Sequence, residues 1–248
     1  MNSSHPDLQH SALSTQHSLP QRLGLFGGSF NPIHNCHLTI AHHVHERMQL
    51  SQVLFIPTGD PPHKRDGSLA PANVRFEMVR LAVADSPLFL VSDIEIQRRG
   101  KSYSIDTVRE LQHHYGLSTE LFFIIGLDAF LDFPTWREPH ELLKLCHFVV
   151  VPRPEQSFQT LSKMPLLPNL NPLTLASLDT GAQKRLNIGV PSCPGITCLA
   201  LPPCPTSASE IRQRVRSGLS LANILPPSVE SYILRHSLYQ EESDRTPI

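Results

Sequence analysis

Cysteine is scarce, and its spacing suggests no pairing: Cys36, Cys146, Cys193, Cys198 and Cys204 make five, with no C-x-x-C among them. An odd count without ligand spacing argues against a disulfide framework and a zinc knuckle, and makes a reducing cytoplasm the simplest home. Charge is scarce as well. Charged residues are 17% of the 248, and the net charge is −1 with 14 histidines taken as neutral. That balance offers no broad basic face to nucleic acid or to a membrane surface. No apolar run approaches the roughly 20 residues that a membrane helix needs. Residues 1–21 lack both the apolar core of a signal peptide and any helical periodicity, so they are expected to form a disordered tail. What the chain does have is 40% hydrophobic residues, enough for a packed core in one large domain or two small ones.

Those apolar residues come in alternating patterns. RLGLFGG (22–28), VLFIP (53–57), ELFFIIG (120–126) and FVVVPRP (148–154) are short apolar runs ended by turn residues, as buried strands are. LFLVSDIEI (88–96) reads as a further extended segment. Between them, HLTIAHHVHERMQL, NVRFEMVRLAVADS, SIDTVRELQHHYG and HELLKLCH carry helical spacing. Strands that alternate with helices predict an α/β fold, a Rossmann-like doubly wound parallel sheet. Residues 152–206 are rich in proline and show little periodicity beyond a short extended piece near GITCLAL, so they read as a long loop region. Order returns in a small C-terminal helical part, 207–239. There Ser207 and Glu210 form an S-x-x-E cap, Gly218 is the stop, and PPSVESYILRHSLY makes a last helix. Residues 240–248 are expected to fray.

The chemistry concentrates in GLFGGSFNPIHNCHL (24–38). Gly27 and Gly28 end the first strand, where a backbone without Cβ atoms can turn sharply and approach a ligand. The helix that follows offers unpaired N–H groups and a partial positive charge, which suits phosphate. No G-K-[ST] and no G-x-G-x-x-G is present, so neither a P-loop nor a dinucleotide fingerprint applies. His34 and His37, spaced i and i+3 on one helix face, can both donate to phosphate oxygens held at the turn. His42, His43 and His45 read as surface histidines, because no cysteine or carboxylate cluster with ligand spacing accompanies them.

GGSFNPIHNCHL resembles the G-G-[ST]-F-[DN]-P-x-H-x-G-H motif of the HxGH nucleotidyltransferases. PPHK (61–64), SYSIDT (102–107), FIIGLDAFLDFPTWRE (123–138), VVVPRP (149–154) and SASEIRQRV (207–215) follow in the order of the bacterial nicotinate-nucleotide adenylyltransferases. The resemblance covers roughly residues 22–239. It implies a Rossmann-like fold and the reaction of ATP with nicotinate mononucleotide, giving nicotinate adenine dinucleotide and pyrophosphate with Mg²⁺ carried by ATP. By resemblance, Gly27, Gly28, Ser29 and Phe30 line the nucleotide cleft, and His34 and His37 hold the ATP phosphates. Ser207, Ser209 and Arg212 grip the same phosphates from the other side. Gly126 and Asp128 sit at the end of a central strand, where Asp128 holds a ribose or orders the metal shell. Trp136 stacks on the nicotinate ring, Tyr103 and Ser104 meet its carboxylate, and Lys64 adds charge on the mononucleotide side.

The sequence departs from that pattern at Cys36, where the family has glycine, at Asn31 in place of the commoner Asp and at Ser104 in place of the commoner Thr. Cys36 reads as a small packed thiol that narrows the space near phosphate. Two other functions stay open on sequence alone: an adenylyltransferase for another acceptor, such as nicotinamide mononucleotide or phosphopantetheine, and a nucleotide-binding regulator without turnover. Pyrophosphate release separates the regulator from either enzyme.

Overall fold

The computed structural model describes residues 22–60 and 69–240. The N-terminal tail, Lys64 and residues 241–248 of the C-terminal end lie outside the described residues.

The strands are β1 (Arg22–Gly28), β2 (Gln52–Pro57), β3 (Phe89–Val91), β4 (Glu120–Gly126), β5 (His147–Val151), β6 (Arg185–Ile188) and β7 (Ile196–Leu199). They form one sheet in the order β3-β2-β1-β4-β5-β7-β6, parallel throughout except for the antiparallel edge pair β6–β7. The helices are α1 (Asn35–Met48), α2 (Ala72–Val83), α3 (Ile94–Gln97), α4 (Ser104–Tyr115), α5 (Leu127–Leu131), α6 (Pro139–Leu145), α7 (Pro172–Asp179), α8 (Ala208–Arg216) and α9 (Pro227–Arg235). Among the described residues no helix is long and apolar enough to cross a membrane.

The central strands read as continuous apolar runs because both faces of the sheet are covered. Leu23, Leu25, Phe123 and Val150 belong to one buried cluster, with Ile105 and Val108 of α4. Phe26, Ile124 and Val149 belong to the other, with Val44 of α1, Val79 of α2, Ile211 of α8 and Ile233 of α9. The sheet grows in one direction from β1 through β2 to β3, and in the other from β4 through β5. The order therefore reverses between β1 and β4, and the carboxyl ends at such a switch point form the crevice where open α/β sheets bind ligands. Gly28 and Gly126 are the last residues of those two strands.

Three sequence expectations need correction. LFLVSDIEI is not one extended segment: the strand stops at Val91, and Ile94–Gln97 is a helical turn that follows Ser92 and Asp93. Residues 152–206 hold more than loop. A short 3-10 helix (Phe158–Lys163), α7 and β6 accompany the expected extended piece, which is β7. Their signal was local, since Asn171 caps α7 through its side chain and Pro172 takes the first helical position, a pairing that suits a helix start. The third correction concerns the cysteines. Cys36 and Cys204 are joined by a disulfide, with Cα atoms 5.7 Å apart across a sequence separation of 168. Cys36 is thus not a packed thiol. Cys146, Cys193 and Cys198 are free.

Candidate active site

A cleft of about 730 Å³ opens beside the end of β1. Gly27, Gly28, Ser29, Phe30, His34 and His37 line it from the β1–α1 side. Ser207, Ser209 and Arg212 line it from the start of α8. Space at Gly28 is tight: a Cβ there would lie 3.1 Å from the ring of Phe30. Phe30 itself takes a left-handed φ of 44° to turn the chain, and its ring packs edge-on against His37 at 5.1 Å.

The two histidines are not equivalent positions on one helix. His34 is the N-cap, with extended backbone (φ −149°, ψ 171°), and His37 is the third residue of α1. The His34 N–H donates to His37 Nδ1 at 3.3 Å, and the rings lie 3.9 Å apart, centre to centre. That bond decides the proton's place on His37. Nδ1 accepts, so the neutral ring carries its proton on Nε2. His34 is only 4% exposed, and its Nδ1 is buried with no hydrogen-bond partner among the described residues. Burial is the main reason its pKa falls to about 4, with the Arg153 guanidinium adding to the effect. His37 is lowered well below 6.5 by burial, by His34 and by Arg153. Both rings are therefore neutral at pH 7 and offer N–H donors without a charge of their own.

The His34 shift has a consequence for stability. The unfolded chain protonates this residue near pH 6.5 and the folded chain near 4, so below 6.5 the unfolded state binds the extra proton first. Stability due to this residue is full above pH 6.5 and is lost as pH falls toward 4, by at most about 3 kcal/mol. In His34→Gln, thermal melts between pH 7 and 4 are expected to show a flatter decline than in the parent chain. An unchanged slope would remove His34 from the acid-sensitive groups.

The cation side of the cleft is built by arginines. Arg212 donates from Nη1 to the Asn31 carbonyl at 2.8 Å and from Nη2 to Ser209 Oγ at 3.1 Å. It thereby ties the start of α8 to the Asn31 turn, while Ser207 caps α8 by accepting from the Glu210 N–H at 3.1 Å. Arg153, which follows β5, also lines the cleft. Its Nε donates to Asp128 Oδ1 at 3.2 Å, directly over the end of β4. A Cβ on Gly126 would fall 2.5 Å from both of those atoms, so glycine is what lets the pair lie there. Gly126 and Asp128 thus connect to the cleft through Arg153, a residue that sequence reading quoted within VVVPRP without giving it a task.

Arg75 was also missed. It is 1% exposed and donates to the carbonyls of Ser29 at 2.8 Å, Thr58 at 2.6 Å and Ala70 at 2.9 Å. A buried guanidinium spent on backbone carbonyls holds the loops after β1 and β2 in register. Nothing in its helical spacing marks it, because its partners lie as far as 46 residues away.

Tyr103, Ser104 and Trp136 do not line the cleft described above. Tyr103 is the N-cap of α4 and Ser104 its first residue, and no side chain caps that turn. Trp136 is half-buried against Phe123 and Phe133. Its neighbour Arg137 places its guanidinium 4.8 Å over the Tyr103 ring, which brings the two segments together. Among the described residues no group of three or more His, Cys, Asp or Glu is placed to hold a metal ion.

A glycine turn, neutral histidines and two arginines at the switch point of a parallel sheet define a site for polyanionic nucleotide chemistry. A family model, Cytidylyltransferase-like, matches residues 25–214 and places the chain among the nucleotidyltransferases. Two curated relatives carry the name "Probable nicotinate-nucleotide adenylyltransferase". The one from Geotalea daltonii is 42% identical over 224 residues, covering 89% of this chain and 99% of the relative. The one from Citrifermentans bemidjiense is 45% identical over 223 residues, covering 88% and 98%. The chain belongs to the nicotinate-nucleotide adenylyltransferase family. Among solved structures, the Plasmodium falciparum nicotinic acid mononucleotide adenylyltransferase complexed with NaAD has the same fold, with a TM-score of 0.64 at 16% identity, covering 88% of this chain and 97% of that one.

Proposed function

We propose that the chain joins ATP to nicotinate mononucleotide, releasing pyrophosphate and nicotinate adenine dinucleotide, in the cytoplasm and as a step of NAD synthesis. The observation that carries this reading is the pair of neutral histidines, His34 buried and His37 half-buried, that line one cleft with Arg212. The attacking group is a phosphate oxygen of the mononucleotide, already anionic near neutral pH, so no general base is needed. The work is to align two anions in line at the α-phosphorus and to offset the charge that grows on pyrophosphate.

In this reading ATP enters as its magnesium complex. Its phosphates lie between the Gly27–Phe30 turn, His34 and His37 on one side and Ser207, Ser209 and Arg212 on the other. A ring N–H of His34 and the Nε2–H of His37 are the groups assigned to phosphate oxygens. Arg212 gives up no bond to do this, since its guanidinium keeps donors beyond the two already used. Asp128, held by Arg153, is assigned to a ribose hydroxyl or to the waters of the metal. The mononucleotide takes the side of Tyr103, Ser104 and Trp136, with Lys64 contributing charge.

The test is direct. ATP and Mg²⁺ are supplied with nicotinate or nicotinamide mononucleotide in parallel, and dinucleotide and pyrophosphate are both read. Equal amounts of the two products from the acid substrate are expected. Affinity for ATP with no pyrophosphate would make the chain a binding module instead.

A further inference from the structure

The disulfide sits in the cleft itself. Cys36 is the second residue of α1, between His34 and His37, and Cys204 belongs to the Pro202–Pro205 strap that leads into Ser207, the cap of α8. Both cysteines line the cleft. The bond therefore joins one lip of the site to the other, one to three residues from the groups assigned to phosphate on each lip.

We infer that Cys36 and Cys204 form a reversible thiol–disulfide site, exchanging with low-molecular-weight thiols and disulfides of the glutathione class, and that the bonded state restricts entry of the ATP phosphates. The restriction rests on the adenylyl-transfer reading given above.

The two sulfurs differ in access. Cys36 is 6% exposed, whereas Cys204 is half-buried between the exposed Pro203 and Pro205. An incoming thiolate therefore attacks Sγ of Cys204. The mixed disulfide forms there and Cys36 leaves as thiolate. A second small thiol resolves the mixed disulfide, so two electrons pass from two thiols to the pair and one small disulfide is released. Oxidation by a small disulfide runs the same steps backward. Cys36 is suited to leave. It lies in the first turn of a 14-residue helix, where the partial positive charge of the helix start favours a thiolate, and a better-stabilised thiolate departs faster.

The other cysteines lack these features. Cys146, the C-cap of α6, and Cys198, within β7, lie outside the cleft and away from any helix start, and burial pushes both thiols up. Cys193 lies outside the cleft, beside Lys144 and Glu141. The bonded strap also matters for entry. While it is held over the first turn of α1, His34, a group assigned to the phosphates, is only 4% exposed. Reduction frees residues 202–206 to move off that turn.

The experiment uses the full chain equilibrated with either oxidised or reduced glutathione. Alkylation and peptide mapping read the thiols, and equilibrium dialysis reads the Kd for ATP with Mg²⁺. Cys36 and Cys204 are expected to be protected together from alkylation in oxidised glutathione and both labelled in reduced glutathione. If the bonded state leaves about a tenth of molecules open, the Kd for ATP is about tenfold weaker when oxidised. Cys204→Ser should bind ATP alike in both buffers, at the reduced chain's affinity. Two labelled cysteines in oxidised glutathione would overturn the site. A protected pair with the same ATP affinity in both states would overturn its control of entry. Pyrophosphate release, measured separately, tests adenylyl transfer without bearing on the thiol mapping.

Discussion

His37→Ala is expected to lower kcat by about two to three powers of ten, because one donor aimed at charge that develops in the transition state contributes roughly 3–4 kcal/mol. The ring's situation makes the expectation specific. Its Nδ1 already accepts from the His34 N–H, so the proton it can present is on Nε2. Burial, His34 and Arg153 hold its pKa well below 6.5, so the ring stays neutral over the whole range in which the enzyme would work. The loss in His37→Ala should therefore be the same at pH 6 and pH 8. The fold should persist: besides ring contacts with Phe26, Phe30 and His34, the variant loses one long hydrogen bond, of a kind that contributes about 1 kcal/mol. His37→Asn, which keeps an amide donor near the same place, should retain more turnover than His37→Ala. Stopped assays of pyrophosphate release, with melting temperatures beside them, decide the matter. Turnover near that of the parent chain would remove His37 from the chemistry.

The glycine turn and the histidines could be found from sequence because their signal is local. Gly27, Gly28, His34 and His37 fall within eleven residues, between an apolar strand and a helix, and the structure puts them in one cleft. The strand ELFFIIG runs from Glu120 to Gly126 as expected, because apolar residues bounded by polar and glycine ends leave little choice. His34 and His37 do not, however, sit as two positions on one helix face. A cap residue has extended dihedrals, so the pair is a cap and its third helical residue; the rings still meet because the cap's own N–H reaches back to the second ring. What lay beyond reading is non-local. Arg75 bonds to carbonyls up to 46 residues before it in the chain, Arg153 finds Asp128 25 residues away, and Cys36 finds Cys204 only because the C-terminal part folds back over α1. No spacing rule pairs two cysteines 168 residues apart, since an odd count says nothing about which of them meet.

Substrate choice is expected to favour the acid. Nicotinate mononucleotide carries a ring carboxylate where nicotinamide mononucleotide carries a neutral amide. The assigned side of the site offers donors: the Ser104 hydroxyl, the uncapped first turn of α4, and the Arg137 guanidinium over the Tyr103 ring. A carboxylate has only acceptors, and these donors satisfy them. An amide would turn its own N–H groups toward donors and leave both sides unpaired. Each such buried group costs about 1–3 kcal/mol, which gives roughly ten- to several-hundred-fold discrimination in kcat/KM. Trp136 is assigned to stack on either pyridine ring, so Trp136→Ala should weaken both substrates alike and leave the ratio standing. Ser104→Ala removes one donor and should hurt the acid more, so the ratio shrinks. Paired kinetics on the parent chain and these two variants separate stacking from carboxylate recognition. A parent ratio near one, or one that favours the amide, would overturn the assignment of Tyr103 and Ser104 while leaving adenylyl transfer intact, because the phosphates are assigned to a different set of residues.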